Sequence, residues 1–385
     1  MTQKIVQIEA IDSLLFRDAR PFSNELGALT ARSLPLPLPS TIAGFIRTFV
    51  GNQLNWDWGR EWHKAQGIRV HAPLLQRQHG FSGESEFILP APADALVYTK
   101  DGCRQQITAL RPFRLPEGAG CDLPHPKLLP LLPQEAVEAK PEGGYNLWKW
   151  RDLQQWLLNQ SCLPSEPIAE IPRETRVHVA IDPNTGTSEK SHLYTVEYRA
   201  FECLKEGVYC RWSLLARVYL PDDMEACLEG LGLLGGEKRV AHLREAEQWL
   251  ECPHDLQKAL SGARYVRMVL ATPAIFNDGW KPGWLDNALE GAPPNVSGIW
   301  LRLIAAAVKR REAVSGWDYA HRHPKPVRWL APAGSVYFFE LVDGSAETLA
   351  TSAWLQPVSD EETDRDTGYG LALWGVWNPS IGGNL

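Results

Sequence analysis

Val6-Gln7-Ile8-Glu9-Ala10 and, further on, Leu34-Pro35-Leu36-Pro37-Leu38-Pro39-Ser40-Thr41-Ile42 are the two stretches from which the fold is read. In the first, Val6, Ile8 and Ala10 alternate with Gln7 and Glu9, the period of a half-buried strand. In the second, proline at every other position removes N–H donors and holds the chain extended. Ser40 then reads as a helix N-cap. Ile42, Phe45, Ile46, Phe49 and Val50 follow at i, i+3, i+4, i+7 and i+8, one apolar helix face. The pattern predicts a strand, a turn and a capped helix. Ser40 and Thr41 stand at the helix N-terminus, which either binds nothing or holds an anion such as an RNA phosphate.

At 385 residues there is room for two domains with real cores. Hydrophobic residues make up 44% and charged residues 22%, the balance of a globular rather than a disordered chain. A formal charge of −7 excludes a general nucleic-acid coat but leaves room for a local basic groove. Cys103, Cys121, Cys162, Cys203, Cys210, Cys227 and Cys252 form no Cys-x-x-Cys pair, so free thiols in a reducing cytoplasm are expected. Lys4, Gln7 and Glu9 interrupt the first ten residues, so no signal peptide is expected. No run reaches the ~18 apolar residues of a membrane span. Sixteen tryptophans point to large packing surfaces or to an aromatic-rich interface with partners or bases.

Along the chain, Phe87-Ile88-Leu89 and Leu96-Val97-Tyr98 read as short strands, and 116–145 as a Pro- and Gly-rich insertion reaching about residue 165. Within it, 146–160 suits a short amphipathic helix with Trp150, Leu153, Trp156 and Leu157. Residues 172–181 and 191–201 alternate like strands around the turn-forming Asp182-Pro183-Asn184-Thr185-Gly186-Thr187, which predicts a long hairpin over about 173–199. Tyr209 to Leu220 reads as a further strand and Asp222 to Leu231 as a helix, ending in Gly235-Gly236-Glu237-Lys238-Arg239. Near residue 259 a second cycle begins, with strands at 265–270, 336–342 and 371–376. A strand, a turn and an apolar segment near 5–50 and again near 265–310 predict two related α+β units, 1–258 and 259–385.

No established catalytic motif is present: there is no Walker loop, Gly-x-Ser-x-Gly or His-Glu-x-x-His. His321-x-His323 and the pair Asp364 and Asp366 are weak metal candidates, since no four-ligand spacing surrounds them. No metal or cofactor is called for. Residues 300–330 carry Arg302, Lys309, Arg310, Arg311, Arg322, Lys325 and Arg328 against Glu312 and Asp318, an excess of five positive charges. This is either a solvated helix face or a phosphate- or partner-docking face. The glycine loops at 235–236 and at Gly368-Tyr369-Gly370 either feed strands or bring backbone close to a ligand, with Tyr369 available to stack on a base.

Ile8-Glu9-Ala10-Ile11-Asp12 leading to Leu15-Phe16-Arg17-Asp18-Ala19-Arg20-Pro21-Phe22 resembles the opening of a RAMP subunit of type III-B CRISPR (Cmr) effector complexes, the one that binds the CRISPR RNA 5′ tag. Residues 36–44, the hairpin from Arg176 to Tyr198 and the terminal Gly368-Tyr369-Gly370-Leu371-Ala372 resemble it too. The resemblance implies two ferredoxin-like (RRM-type) units with insertions and a hairpin thumb. It implies a non-catalytic RNA-binding subunit that holds the single-stranded 5′ tag. Its partners would be the large polymerase/cyclase-like Cmr subunit, the backbone RAMP subunit and, indirectly, target RNA, in the cytoplasm and without a membrane. Single-stranded RNA is held by phosphate contacts, helix N-termini and stacking on aromatic rings. Expected near phosphates are Arg17, Arg20, Ser40, Thr41 and Arg47. Expected along the thumb are Arg173, Arg176, His178, Lys190 and Tyr194. At the glycine loops they are Lys238, Arg239, Gly368, Tyr369 and Gly370.

Two other functions compete. A metal-independent RAMP endoribonuclease would need a general base and acid, for which His63 or His71 stand after the first helix. A protein-only scaffold would use the tryptophan-rich surface.

Overall fold

The computed structural model describes residues 1–18, 30–80, 83–102, 104–134, 137–205, 207–318 and 322–379, with side chains left out at 189–192 and 317–318. It is a mixed α+β protein, about 41% strand and 14% helix, and most of its strand pairs are antiparallel. Among the described residues no helix is long and apolar enough to cross a membrane.

The contacts group the chain into two units, each drawn from three segments. Met1–Ser85, Glu170–Gln248 and Val314–Pro326 form the first; Glu86–Ala169, Trp249–Ala313 and Val327–Leu385 form the second. The expected boundary at 258/259 describes a repeat along the sequence, whereas these units interleave.

In the first unit the main strands are Thr2–Ala10, Arg69–His79, Val208–Leu220 and Val240–Ala246. They lie side by side in the order fourth, first, third, second, all antiparallel. Alternation sets which residues face inward. Val6 pairs with Ala216 and Ile8 with Leu214, and all four are buried. The helix Pro39–Gln53 packs against Arg69–His79, burying Ile42, Phe45, Ile46 and Val50, the face its periodicity predicts. In the second unit the corresponding strands are Tyr265–Leu270, Ile299–Ala307, Val336–Gly344 and Ala372–Val376. Their order is again fourth, first, third, second, and all pairs are antiparallel. Within the expected insertion, the amphipathic helix forms as Trp150–Leu157, burying Leu153, Trp156 and Leu157.

Three local expectations are corrected. Ser40 is not the cap: Leu38 is, and Pro39 opens the helix with no side-chain cap bond. Proline suits the first helical position because its missing N–H is unpaired there anyway and its φ is preset. The expected helix at 222–231 does not form. Residues 222–229 are turn and coil, and Gly230–Leu233 is a strand paired with Val240–Ala246. Gly230 and Gly232 are poor helix formers, and the edge of the neighbouring strand offers their backbone a ladder. Finally, residues 299–307 are a strand, so of the two readings of the basic stretch 300–330 the helix face does not hold over its start.

Candidate nucleic-acid interface

The hairpin forms in the predicted place, from Arg173–Ile181 and Ser188–Arg199. Its register pairs His178 with Tyr194, Arg176 with Val196 and Glu174 with Tyr198. Directly opposed residues share a face, so these six line one side. Val196 and Tyr198 are buried with Leu15 and Ala31, and Tyr194 packs against that cluster. Toward the tip the opposite side is apolar and open: Val177 is 70% exposed, with Ile181 and Leu193 exposed as well.

The root of the hairpin is pinned by Arg199, which is buried. It donates to the carbonyls of Leu34 (2.9 Å), Ser33 (2.8 Å) and Ile171 (3.1 Å) and to Glu170 (2.7 Å). Leu14 and Arg199 exchange backbone bonds of 3.0 and 2.8 Å. The proline lead-in and the N-terminal motif are thereby tied to the hairpin.

On the inward side, three stretches far apart in sequence meet at Tyr198. The Arg239 guanidinium lies 4.4 Å from the centre of its ring and that of Arg176 4.9 Å. Asp12 bridges the two, at 2.9 and 3.3 Å from the Arg176 nitrogens and 2.5 Å from Arg239. Glu174 accepts from Arg176 at 2.6 Å and from Ser13. The Tyr198 hydroxyl donates to Glu237 and lies 3.3 Å from His178 Nε2. His178 stacks on Tyr194 with ring centres 5.3 Å apart and 14° between planes.

The electrostatics follow from this geometry. The hydrogen bond from Arg176 holds the Asp12 carboxyl below its usual range. Arg176, then Ser13, does the same for Glu174. Burial, then Glu237, pushes the Tyr198 hydroxyl up. Two guanidinium groups thus lie among three carboxylates, Asp12, Glu174 and Glu237. Asp12 is 49% exposed, so the carboxylate shared by both arginines is open to solvent.

Of the expected residues, Arg176, His178, Tyr194 and Arg239 come together here. Arg173 lies on the hairpin, paired with Glu170 and with Glu197 at 3.4 Å. Lys238 is exposed, with φ +52°. Arg17 is exposed and bridged through its backbone to Ser33. Ser40 is exposed and Thr41 half-buried in the first turn of the helix. Arg47 donates to the Ile68 carbonyl at 3.0 and 2.9 Å, which makes it a structural tie. Arg20 and the Lys190 side chain lie outside the described residues.

The glycine loops carry a second correction. A Cβ on Gly235, where φ is +78°, would lie 2.4 Å from the Leu15 carbonyl oxygen. Gly236 N–H donates to that same oxygen at 2.8 Å. In the second unit, Gly370 has φ +85° and lies against Ser359. Gly370 N–H bonds Pro273, while the carbonyls of Gly368 and Tyr369 accept from Thr272 and Ser359 at 2.8 Å. Tyr369 is 3% exposed, so its ring is not offered to a base. Both loops close backbone on backbone.

Several other candidates are engaged by neighbouring groups. Asp364 forms a two-pronged pair with Arg328 at 2.8 and 2.5 Å. Arg302 pairs with Glu290 and Glu340, and Lys309 donates to the Ala91 carbonyl at 2.9 Å. Arg311 lies 4.1 Å over the Trp329 ring. His71 is buried, and burial with Arg217 and Arg69 pushes its imidazole down to about 3. Sequence reading missed Tyr198, Arg199, Glu174 and Glu237 as site residues. Their only local signal was position at the strand ends and beside a glycine pair.

The family model of a CRISPR-associated protein (Cas_Cmr3) matches residues 6–377, and the chain belongs to that family. It is a Cmr-type CRISPR effector subunit. Among solved structures it is similar to a chain from the type III-B Cmr-beta complex bound to cognate target RNA and AMPPnP, at 18% identity and TM-score 0.48, over 87% of this chain and 86% of that one. It is also similar to a chain of the Csm3–Csm4 subcomplex of the type III-A interference complex, at 12% identity and TM-score 0.37, over 98% and 100% of the two chains. No curated protein matches the sequence.

Proposed function

We propose that this chain is the non-catalytic subunit that holds the single-stranded 5′ tag of the CRISPR RNA, bridging the large polymerase/cyclase-like subunit to the backbone RAMP filament in the cytoplasm. The observation that carries the reading is the hairpin root, where Arg176 and Arg239 flank Tyr198 beside the His178–Tyr194 stack. Guanidinium groups beside stacked rings suit a phosphate and an unpaired base. Each unit is read as ferredoxin-like, supported by the strand order the two share. The non-catalytic reading is supported by His71, which is buried and deprotonated at neutral pH and so is no general acid. Target RNA is met only through the complex.

A protein-only scaffold is the second reading, favoured by the carboxylates that already occupy the hairpin arginines. Binding of labelled RNA with a CRISPR-repeat 5′ tag, against a scrambled RNA, separates the two. The protein is mixed with its large-subunit partner and salt is varied. Tag preference, with a salt slope that falls by about 0.7 in Arg176→Ala for one lost single-strand phosphate contact, supports tag holding. Equal, weak binding of both RNAs supports the scaffold, and cleavage of repeat RNA would return the endoribonuclease.

A further inference from the structure

Beyond the RNA site, the first unit holds a pair of thiols on the short hairpin formed by Glu202–Lys205 and the start of Val208–Leu220. Cys203 is directly opposite Cys210 in the register. Trp212 N–H donates to the Phe201 carbonyl at 2.7 Å, which marks 201 and 212 as a hydrogen-bonded pair. Two residues along each strand, 203 and 210 are again such a pair, with Cα atoms about 5.5 Å apart by the geometry of antiparallel ladders. That separation is within the range disulfides span, and opposed side chains leave the same face. Burial, then the neighbouring Cys210, pushes the Cys203 thiol up. Cys210 is buried, and its sulfur lies 3.4 Å from His79 Nδ1. Cys203 is half-exposed.

We propose that Cys203 and Cys210 form a thiol-oxidation site, closed to a cross-strand disulfide by peroxide and reopened by small thiols. The exposure of the two sulfurs sets the order of events. Peroxide reaches the half-exposed Cys203 first and converts its thiol to a sulfenic acid, releasing one water. Cys210 gives its proton to His79 and attacks the Cys203 sulfur. The S–O bond breaks, and the leaving hydroxide takes the proton from His79 as a second water. Two thiols and one hydrogen peroxide thus give one disulfide and two waters.

Trypsin provides a direct readout, because Lys205 falls between the two cysteines. The full-length protein is treated with hydrogen peroxide, alkylated and digested. The peptides 200–205 and 206–211 are expected as one linked species that separates on reduction and is absent from Cys203→Ser. His79→Gln, folded as judged by its thermal unfolding, is expected to slow closure by on the order of 10²-fold. The proposal is overturned if both peptides emerge separately alkylated at a dose that oxidises the exposed Cys121 and Cys227, or if Cys210 links elsewhere. Unchanged closure in His79→Gln overturns the role given to that histidine.

Discussion

Each unit contains one aspartate shared by two arginines around an aromatic ring, and the two clusters differ mainly in their access to water. In the first unit Asp12 joins Arg176 and Arg239 over Tyr198, with the carboxylate half open. In the second unit Asp94 meets Arg267 at 2.8 Å and Arg111 at 3.5 Å. Those guanidinium groups lie 5.5 and 5.9 Å from the centre of the Trp156 ring, whose N–H donates to Asp94 at 2.9 Å. Asp94 and Arg267 are fully buried. Burial pushes the Arg267 guanidinium down to about 10, against the opposing pull of Asp94, so it still carries its charge at neutral pH. The same constellation is therefore closed to water in one unit and open to it in the other. A buried one holds a core in register because removing either partner strands a charge. An open one costs little to rearrange, and under the tag-holding proposal a phosphate would take the place of its carboxylate.

The largest effect is expected in the buried cluster. Asp94→Ala leaves two guanidinium groups without their carboxylate and should lower unfolding free energy by about 3–5 kcal/mol, read from urea denaturation. A loss below about 1 kcal/mol would mean that the Trp156 face alone holds the arginines, and the contrast with Asp12 would fail. Next is Arg176→Ala, expected to weaken binding of tag RNA about ten-fold, or ~1.4 kcal/mol, with a smaller stability loss than Asp94→Ala. If instead assembly with the backbone subunit is lost while RNA affinity holds, the open cluster is a protein contact.

How much of this was legible depended on range. Period-2 and period-3.6 patterns act over a few residues, so the strand at Val6–Ala10, the helix face from Ile42 to Val50 and the hairpin at 173–199 could be read directly. The sequence also showed arginines on the hairpin. It could not show that Asp12, Arg176 and Arg239 converge, because a shared carboxylate is set by tertiary contacts across 227 residues. The failures are local conflicts won by tertiary structure. Gly230–Leu233 had apolar neighbours that suggested a helix, yet a free strand edge was available. Tyr369, flanked by glycines, looked presented to a ligand, but those glycines let the loop bury it. Burial also separates Asp94 from Asp12, and no residue near either announces it.

Smaller effects sharpen the contrast from the open side. Asp12→Asn should raise RNA affinity by about three-fold, since a neutral amide competes less with phosphate for the two arginines. Its stability cost should stay within ~1 kcal/mol, as for other exposed pairs. Unchanged affinity would show that phosphate does not enter between Arg176 and Arg239.

The smallest effect is in acid. Arg176 lowers the Asp12 and Glu174 carboxyls from their ordinary 3.8 and 4.5. Their contribution to stability is therefore complete above those values and is lost as pH falls through the lowered ones. His71 adds a separate loss. Its imidazole is depressed from 6.5 to about 3 in the folded protein, so the unfolded state takes up a proton first and stability falls as pH drops from 6.5 toward 3. That loss is common to wild type and Asp12→Asn, so the difference between their unfolding free energies cancels it. The difference should be flat from pH 7 to about pH 5 and shrink below about pH 4. A difference that already shrinks between pH 7 and pH 5 would mean that the Asp12 carboxyl is not held low by Arg176. The shared carboxylate would then not be what orders the open cluster.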